Sequence, residues 1–282
     1  MPELPEVETI RRQLDPQLQN AEIIGGDAHW SDKFSPAHDA IGTTITGVRR
    51  RGKYLLFDLD TGTGSDEPSH ELVAHLGMTG SFHVESLEAD APTPTIDDFG
   101  AHCRAIWVFD DGRLLRFNDI RRFGRLRVVE RGEYGEIPTL SQMGPEPFDP
   151  DFTGASLHHH VKKSNRAIKT QLLSQRPVAG VGNIYADEAL FLAGIDPRAK
   201  RVGRQRCDLL AATVRDVLQA GVDNGGTTLR DYVDAQGDTG SNQHSLVAYG
   251  RAGQACVQCG SEMQSTVIDA RTTTYCAICQ KR

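Results

Sequence analysis

The first regular pattern in the chain is a helical one near its N-terminal end. Apolar residues recur from Val7 to Leu18 at the spacing that places them on one face of a helix. Pro5 stands in the first turn, where proline is tolerated because its missing N–H would have no partner there. The pattern predicts an amphipathic helix over residues 4–18.

Between residues 20 and 131 the hydrophobic pattern changes to an alternation of apolar and polar residues. In Lys53–Asp60, the side chains of Leu55, Phe57 and Leu59 fall on one face, as in a strand that is buried on one side. Glycines and Asp-Gly pairs separate this segment from similar ones, which favours antiparallel pairing. We predict a β-sandwich with the first helix packed on it. The further predicted strands are Glu71–His75, Ala105–Phe109, Arg113–Phe117 and Arg125–Val129.

A proline-rich stretch marks the change to a helical pattern. Residues 133–153 hold four prolines and predict a linker. Helices are predicted near Asn165–Gln175, from Asn183 to Ala193 with Asn183 as the cap, and over residues 207–222. The expected fold class is α+β. The predicted divisions are a β-sandwich domain at 1–132, the linker at 133–153, a helical domain at 154–246 and a finger at 247–282.

The composition is that of an ordinary globular protein. Of the 282 residues, 38% are hydrophobic and 24% are charged. The chain has no run of 18 apolar residues, so it predicts no membrane span. Its acidic start lacks an apolar core of signal-peptide length, and we expect a cytoplasmic protein.

The net charge of −7 argues at first against a nucleic-acid partner, but its distribution reverses that argument. Residues 104–131 hold eight arginines against four acids, and residues 158–176 hold five lysines and arginines and no acid. Further basic runs are Arg49–Lys53 and Arg198–Arg206. The asymmetry indicates a basic binding face, although scattered and solvated surface charges would give the same counts.

Two Cys-x2-Cys pairs, separated by 16 residues, have the spacing of a zinc site. Two disulfides or chance clustering are the alternatives, and the absence of a secretion signal favours zinc. Four cysteine ligands leave no open coordination position, so we predict one structural Zn²⁺. Cys103 and Cys207 stand alone and are expected to be buried thiols. The predicted ligands are Cys256, Cys259, Cys276 and Cys279.

Pro2 has the most specific chemistry of any residue in the chain. Methionine before proline is normally removed, which leaves a secondary amine at the chain end. An α-amine has a pKa of about 7.7–8 and lysine about 10.4, so its unprotonated fraction at neutral pH is larger by roughly two orders of magnitude. Attack of this amine on a sugar C1′ would give an iminium, an electron sink for eliminating the 3′ phosphate. The alternative is that Pro2 simply precedes a helix.

Three charged residues are candidates to assist such an amine. Glu3 and Glu6 flank it at the positive end of the first helix, where a carboxyl group can act as a general acid or merely complement the helix dipole. Lys53 heads the predicted strand face, and a surface lysine is the commoner explanation for it.

Segments along essentially the whole chain occur in the order typical of one family. They are MPELPEVETIRR at 1–12, RGKYLLFDL at 51–59, HLGMTGS at 75–81, RRFGRL at 121–126, MGPEPF at 143–148, VGNIYADEALF at 181–191, GGTTLRDYV at 225–233 and the four-cysteine finger. On these motifs the chain resembles the formamidopyrimidine-DNA glycosylase family. The sibling endonuclease VIII branch opens Met-Pro-Glu-Gly-Pro, whereas this chain opens Met-Pro-Glu-Leu-Pro.

The resemblance implies an enzyme that acts on duplex DNA carrying an oxidised purine or an abasic site. It implies that 8-oxoguanine and formamidopyrimidines are excised and that the strand is then cleaved by β,δ-elimination. It also implies a helix–two-turn–helix domain after the sandwich. Pro2 is similar to the family's Schiff-base nucleophile, Glu3 to its catalytic acid and Lys53 to the lysine that contacts DNA phosphate and assists β-elimination. Arg271 resembles the arginine associated with phosphate binding and δ-elimination.

Further residues resemble the family's DNA contacts. Asn183 resembles the residue that grips a phosphate flanking the lesion, and His102 and Lys163 fall close to family contacts. The damaged nucleotide must leave the base stack, and side chains must fill the gap. Met78, Arg121 and Phe123 resemble the trio that does so; core packing is the alternative for each. The resemblance also places Glu6 and Tyr185 at the DNA-binding site.

The chain departs from the family pattern at two places. Ile120 stands where proline is common before Arg-Arg-Phe-Gly, and Ser241 and Asn242 stand where some relatives carry aromatic residues. The polar segment 234–245 covers the flipped base in the family, so these residues leave the lesion preference open. The alternatives are an oxidised-pyrimidine glycosylase of the endonuclease VIII type and a damage-binding protein without chemistry. A monomer is expected.

Overall fold

The computed structural model describes residues 1–62, 67–88 and 92–282. Two compact units are found in this part of the chain. The first comprises Met1–Pro2, Glu6–Ile137 and Gly225–Gly240, and the second comprises Glu3–Pro5, Pro138–Asn224 and Ser241–Arg282. Each unit has its own buried apolar cluster.

The first unit is built on an antiparallel sheet. In the described residues, eight strands follow the order β5-β7-β6-β1-β2-β3-β4-β8. The strands are β1 (Ala21–Ala28), β2 (Thr44–Arg51), β3 (Tyr54–Asp60), β4 (His70–His75), β5 (Gly80–Ser86), β6 (Cys103–Phe109), β7 (Arg113–Asp119) and β8 (Arg125–Glu130).

The sheet folds back on itself to enclose the core of the first unit. Phe57 on β3 and Phe82 on β5 belong to strands far apart in the sheet order, yet their ring centroids lie 5.4 Å apart. Helix α1 (Leu4–Leu18) contributes Val7, Ile10 and Leu14 to the same cluster. The predicted β-sandwich with its packed helix is therefore confirmed.

The predicted strands of this unit are all present, and three others had not been specified. β1 contains Gly25-Gly26 and β2 ends in three arginines, so neither shows a clean apolar alternation, whereas β5 does alternate but has only two large apolar residues, Phe82 and Val84. Cross-strand pairing fixes them instead: β2 pairs with β3 from Thr44 to Arg51. Tertiary pairing overrides a weak local pattern here.

The second unit is helical and ends in a β-hairpin. Its elements are α2 (Pro138–Ser141), α3 (Gly154–Val161), α4 (Ile168–Leu173), α5 (Asn183–Leu192), α6 (Arg204–Asp223), β9 (Gln264–Ile268) and β10 (Arg271–Tyr275). The helix predicted over Asn165–Gln175 is shorter than expected, because Ser164 and Arg166 form a turn closed by a hydrogen bond from the Arg166 amide to Ser164 Oγ. Helix α3 was not predicted; Thr153 and Ser156 cap it reciprocally.

The hairpin closes through a two-residue turn. Ile268 pairs with Arg271, and the intervening Asp269 and Ala270 have φ of 47° and 58°. Positive φ at both central positions is the geometry of a type I′ turn, which matches the twist of the paired strands.

The compact units divide the chain differently from the predicted domains. Residues 225–240, placed by sequence in the helical domain, belong to the first unit. None of the helices in the described part of the chain is long and apolar enough to cross a membrane.

Candidate active site and nucleic-acid interface

Glu3 is held at the N-terminus of α5 in the second unit. Its side chain is 2% exposed. Its carboxylate accepts hydrogen bonds from the backbone amides of Gly182 (2.6 Å), Ile184 (2.8 Å) and Tyr185 (3.4 Å). Amides at a helix N-terminus lack intrahelical partners, and the helix dipole favours an acidic side chain beside them. The helix start therefore fixes the carboxyl group that was predicted to act as an acid.

Two glycines allow the chain to wrap closely around this carboxyl group. A Cβ at Gly182 would lie 2.2 Å from Glu3 Cδ, far inside contact distance. Gly180 has a φ of 83°, and a Cβ there would lie 2.5 Å from the Leu4 side chain, whose amide donates to the Gly180 carbonyl at 3.1 Å. The Gly-Val-Gly turn is thus a close fit around residues 3 and 4.

Pro2 and Glu6 belong to the first unit, and both are buried. Glu6 Oε1 accepts a hydrogen bond of 2.7 Å from the Thr227 amide. A Cβ at Gly226 would lie 2.9 Å from Glu6 Cγ, and the Tyr232 hydroxyl donates to the Gly225 carbonyl at 3.3 Å. The GGTTLRDYV segment therefore packs around the Glu6 side chain, which explains why it groups with the first unit.

Lys53 lies directly before β3 and is also buried. Burial, with the positive charge of Lys53 next in effect, lowers the pKa of His75 to about 4. The imidazole is thus neutral at pH 7, and its Nδ1 accepts a hydrogen bond of 3.1 Å from the Gly77 amide. The charge of Lys53 therefore acts on His75, and the His75 ring holds the Gly77 amide at the start of the turn that carries Met78.

Asp119 joins the two turns that carry the predicted gap-filling residues. It is completely buried. One carboxylate oxygen accepts from the Thr79 hydroxyl and the other from the Gly124 amide, both at 2.6 Å. A Cβ at Gly77 would lie 2.5 Å from the Gly124 nitrogen, so the two turns are in direct backbone contact.

The side chains on these turns reach solvent. Phe123 is 49% exposed, although a buried position is usual for phenylalanine. The Arg121 guanidinium carbon lies 5.0 Å from the Phe123 ring centroid, within cation–π distance. Met78 is half-buried and His102 is exposed. The structure thus brings Met78, Arg121 and Phe123 to neighbouring turns of one unit.

A buried ion pair connects the helices of the second unit to its hairpin. Lys169 and Asp187 are both buried, and Lys169 Nζ donates to Asp187 Oδ1 at 2.6 Å. The lysine also donates to the Thr273 hydroxyl (2.8 Å), and Asp187 Oδ2 accepts from the Thr274 amide (2.9 Å). Burial lowers the pKa of Lys169 and raises that of Asp187, so the pairing and the threonines must offset the desolvation of both charges.

The other residues of the second unit that were predicted to contact DNA differ in their burial and in their hydrogen-bond partners. Asn183 Nδ2 donates to the Thr272 carbonyl at 3.2 Å, which brings Asn183 next to the strand that begins at Arg271. Arg271 and Lys163 are exposed. The Tyr185 side chain is buried and packs α5 against the apolar core of the second unit. Its predicted contact with DNA stays a prediction.

The four finger cysteines form one compact cluster. Their Sγ atoms all lie within 4.8 Å of one another, with Cys256–Cys279 at 3.9 Å and Cys259–Cys276 at 3.5 Å. A disulfide needs about 2.05 Å. A tetrahedral ion with metal–sulfur bonds of about 2.3 Å separates its sulfurs by roughly 3.8 Å. The cluster fits a four-coordinate metal ion.

Two family models match the chain. The formamidopyrimidine-DNA glycosylase N-terminal domain matches residues 1–126, and the formamidopyrimidine-DNA glycosylase H2TH domain matches residues 143–233. The formamidopyrimidine-DNA glycosylase of Xanthomonas campestris pv. campestris (strain B100) is 43% identical, over the whole of both chains. The chain belongs to the formamidopyrimidine-DNA glycosylase family.

Solved structures agree with this membership. The MutM (Fpg) protein from Thermus thermophilus superposes with a TM-score of 0.86 at 42% identity, covering 99% of this chain and 98% of that one. A Lactococcus lactis FPG mutant in complex with Fapy-dG-containing DNA gives a TM-score of 0.84 at 34% identity, over the whole of both chains. The α+β fold class and the helix–two-turn–helix expectation are confirmed for this formamidopyrimidine-DNA glycosylase family member.

Sequence reasoning missed several residues that organise the site of this glycosylase-family chain. Asp119, Lys169 and Asp187 were not singled out, yet they hold the turns and the hairpin. One signal was present: Asp187 lies inside a largely apolar helix, and a buried acid needs a partner. No comparable signal marks Asp119, because its two partners come from separate turns.

Proposed function

We propose that the chain is a bifunctional DNA glycosylase and abasic-site lyase acting on oxidised purines, with Pro2 as nucleophile. The position of Glu3 is the observation that carries the proposal. Its carboxyl group is fixed on the amides of Gly182 and Ile184, one peptide bond away from Pro2. This fixed carboxyl group stands beside a proline that becomes the chain end once Met1 is removed.

The chemistry begins at the sugar. Glu3 donates a proton that opens the deoxyribose ring at O4′, and the Pro2 nitrogen forms a bond to C1′. The bond from C1′ to the base breaks, and the base leaves with the bonding electron pair and takes up the proton that the Pro2 nitrogen loses. The nitrogen and C1′ are then joined as an iminium, which needs no proton to carry its positive charge.

The iminium makes strand cleavage possible. Loss of a proton from C2′ sends electrons toward the nitrogen, and the C3′–O bond breaks with departure of the 3′ phosphate. A second elimination releases the 5′ phosphate from C5′. Lys53 is proposed to hold phosphate during the first step, and Arg271 during the second. Asn183 is proposed to hold a phosphate beside the lesion.

The proposed substrate class follows from the chain's relatives. They carry the name formamidopyrimidine-DNA glycosylase, and the Lactococcus lactis mutant binds DNA that contains Fapy-dG. For this chain, we propose that Met78, Arg121 and Phe123 fill the space left when the oxidised purine leaves the stack. His102 and Lys163 are proposed to contact the backbone, and Glu6 and Tyr185 to shape the site from the interior.

We propose one zinc ion on Cys256, Cys259, Cys276 and Cys279. Zinc prefers this tetrahedral thiolate set, and a closed set gives a structural rather than a catalytic ion. The finger hairpin carries Arg271. Because metal binding and folding of the finger are coupled, the bound ion would also fix the position of the Arg271 side chain. We expect one zinc per chain by elemental analysis, and we expect chelation to weaken DNA binding and strand cleavage together. Full cleavage activity in metal-free protein would contradict the assignment.

Borohydride trapping tests the function. Reduction during incubation with duplex DNA carrying 8-oxoguanine opposite cytosine should join protein and DNA covalently, with the adduct on Pro2 by mass spectrometry. Glu3→Gln should lose base excision but keep part of its cleavage at preformed abasic sites, where the base is already gone. Failure to trap with both oxidised-purine and abasic duplexes would favour a damage-binding protein without chemistry. Trapping on oxidised pyrimidines alone would favour the endonuclease VIII type of activity.

A further inference from the structure

The second unit contains a polar cavity that the proposed chemistry does not use. It has a volume of about 380 Å³ and lies between α2, the end of α3 and the segment around α4. Its lining residues are Pro138, Thr139, Gln142, His160, Ser164, Arg166, Gln171, Ser174 and Arg176. None of them is acidic, and the lining is rich in hydrogen-bond donors.

The cavity has a positive electrostatic environment. Arg166 and Arg176 both line it, together with His160. Burial, then the charges of Lys163 and Arg176, lowers the pKa of His160 below its ordinary value. A histidine whose protonation is opposed by its cationic neighbours lies where an anion would be favoured.

Two contacts orient polar groups around this space. Arg176 Nη2 donates to Gln142 Oε1 at 2.5 Å, which ties down one of the five donors of its guanidinium. Gln171 Nε2 donates to the Arg166 carbonyl at 2.8 Å, which settles the orientation of the amide. Gln171 Oε1 is then buried without a protein hydrogen-bond partner among the residues that the structure describes. A buried acceptor of this kind requires a donor, such as a bound water or a protonated ligand oxygen.

The cavity is continuous with other basic features of the unit. Arg166 Nη2 lies 3.8 Å from Asp269 Oδ2, in the hairpin turn that precedes Arg271. Ser164 also lines a second cavity of about 290 Å³, which includes Lys162 and Arg201. Asp269 therefore offsets part of the charge of Arg166, and the basic lining continues from the first cavity into the second through Lys162 and Arg201.

We propose that the cavity lined by Arg166, Arg176 and His160 binds a phosphate group. Guanidinium groups match the geometry of phosphate oxygens and bind them through paired hydrogen bonds. The hydroxyls of Ser164 and Ser174 are further polar groups in the lining, and a water or a phosphate hydroxyl would satisfy Gln171. The phosphate could belong to the DNA backbone or be free in solution. Only the backbone source rests on the proposed function.

His160 provides a direct probe of occupancy in the full-length, zinc-loaded protein. Its pKa is measured by NMR titration of the ring signals, assigned by comparison with His160→Gln. The titration is made without ligand, with inorganic phosphate, and with an undamaged duplex. A phosphate within a few ångströms should raise the pKa of His160 by roughly one unit. The double variant Arg166→Gln/Arg176→Gln should show no such difference between the ligand-free and phosphate titrations.

Salt-dependent DNA affinity separates the two sources. Each lost backbone contact lowers the log–log salt slope by about 0.9. If the source is DNA, the double variant should lose roughly one such contact, whereas Arg282→Gln should keep the wild-type slope. Arg282 is a matched control because it is an exposed arginine of the same unit, paired with Asp196 and outside both the cavity and the basic run Arg198–Arg206. If phosphate shifts His160 but the slope stays unchanged, the source is free phosphate.

One result overturns the proposal: a His160 pKa in wild-type protein that neither phosphate nor duplex alters. The phosphate titration does not depend on any reaction at Pro2. Borohydride trapping of the wild-type protein is measured in parallel. If neither ligand alters the pKa of His160 but trapping succeeds, the phosphate site is wrong and the proposed function stands. If phosphate alters the pKa of His160 but trapping fails, the phosphate site stands and the proposed function is wrong.

Discussion

The Glu3 carboxylate accepts a 2.6 Å hydrogen bond from the amide of Gly182, the residue that precedes helix α5. The two residues are 179 positions apart in the chain. The contact joins the predicted acid to the turn of the helix–two-turn–helix motif. Substituting either residue should therefore affect the same catalytic step.

Gly182→Ala should impair base excision. Its Cβ would lie 2.2 Å from Glu3 Cδ, so the carboxyl group or the turn must move. A displacement of about 1 Å at a catalytic group can reduce the rate roughly 100-fold. We expect a loss of that order in single-turnover excision of 8-oxoguanine, with a smaller loss in cleavage of preformed abasic sites.

Gly203→Ala is the matched control for this substitution. Gly203 also precedes a helix, α6, but a Cβ there meets nothing within 4 Å. Its excision rate should remain within about two-fold of wild type, since its geometry places no strain on the site. Equal rates for Gly182→Ala and Gly203→Ala would show that the Glu3 contact does not govern excision.

Asp119→Asn should loosen the two turns that carry Met78 and Phe123. The amide can accept one of the two hydrogen bonds that the carboxylate accepts from Thr79 and Gly124, and its NH2 group faces the other donor. Loss of a buried hydrogen bond to a charged group costs about 1.5–3 kcal/mol. Urea unfolding should report this loss, and 2-aminopurine fluorescence opposite the lesion should report weaker filling of the gap.

Asp111→Asn is the control for Asp119. Asp111 is exposed and bonds to Arg113 on the same turn, so its replacement should change the unfolding free energy by less than about 1 kcal/mol. The Asp119 assignment would be wrong if both variants gave the same fluorescence as wild type.

Lys169→Met should destabilise the second unit strongly. It leaves the Asp187 carboxylate buried without its cation, and breaking one side of a buried pair costs about 3–5 kcal/mol. Adding Asp187→Asn should recover a large part of this loss, because the amide oxygen can still accept from the Thr274 amide. Chemical denaturation of the single and double variants measures the coupling free energy between Lys169 and Asp187. If the losses of the two single variants simply add in the double variant, the two residues are not coupled.

Arg121→Ala should reduce discrimination by the base opposite the lesion. A guanidinium can donate to both O2 and N3, the two adjacent acceptors on the Watson–Crick edge of cytosine, whereas adenine offers only N1 there, beside an amino donor. A good base contact discriminates by roughly 1–3 kcal/mol, or about 5- to 150-fold in rate. Wild-type protein should excise 8-oxoguanine faster opposite cytosine than opposite adenine, and Arg121→Ala should bring the two rates together.

Phe123→Ala provides the comparison for Arg121. It removes the ring that lies 5.0 Å from the guanidinium, so excision should slow opposite either base while the ratio changes little. If Arg121→Ala keeps the wild-type preference for cytosine, the opposite base is read by another residue.

Sequence periodicity was sufficient for elements with a strong local pattern. Helix α1 and strand β3 carry apolar residues on one face, and both lie where the pattern placed them. The finger cysteines were identifiable because ligand spacing reflects metal geometry directly. Motif order added the helix–two-turn–helix expectation, which periodicity alone did not give.

The hydrogen bonds and the ion pair that organise the site could not be predicted from the sequence. Asp119 gains its role from Thr79 and Gly124, which are 40 and 5 residues away. Lys169 and Asp187 are 18 residues apart, and their threonine partners lie at the other end of the unit's sequence. No local pattern encodes such pairings, because they depend on which loops the fold brings into contact.

The assignment of residues 225–240 to the first unit has a consequence for dissecting the protein. The chain enters and leaves each unit repeatedly, and the contact between Glu6 and Thr227 ties the first helix to a segment that follows α6. A fragment ending at residue 137 would lose that segment and, with it, the Thr227 amide that donates to Glu6. Gene truncation is therefore a poor route to isolated domains here. A dissection that respects the boundaries of the units has to keep residues 225–240 together with residues 6–137.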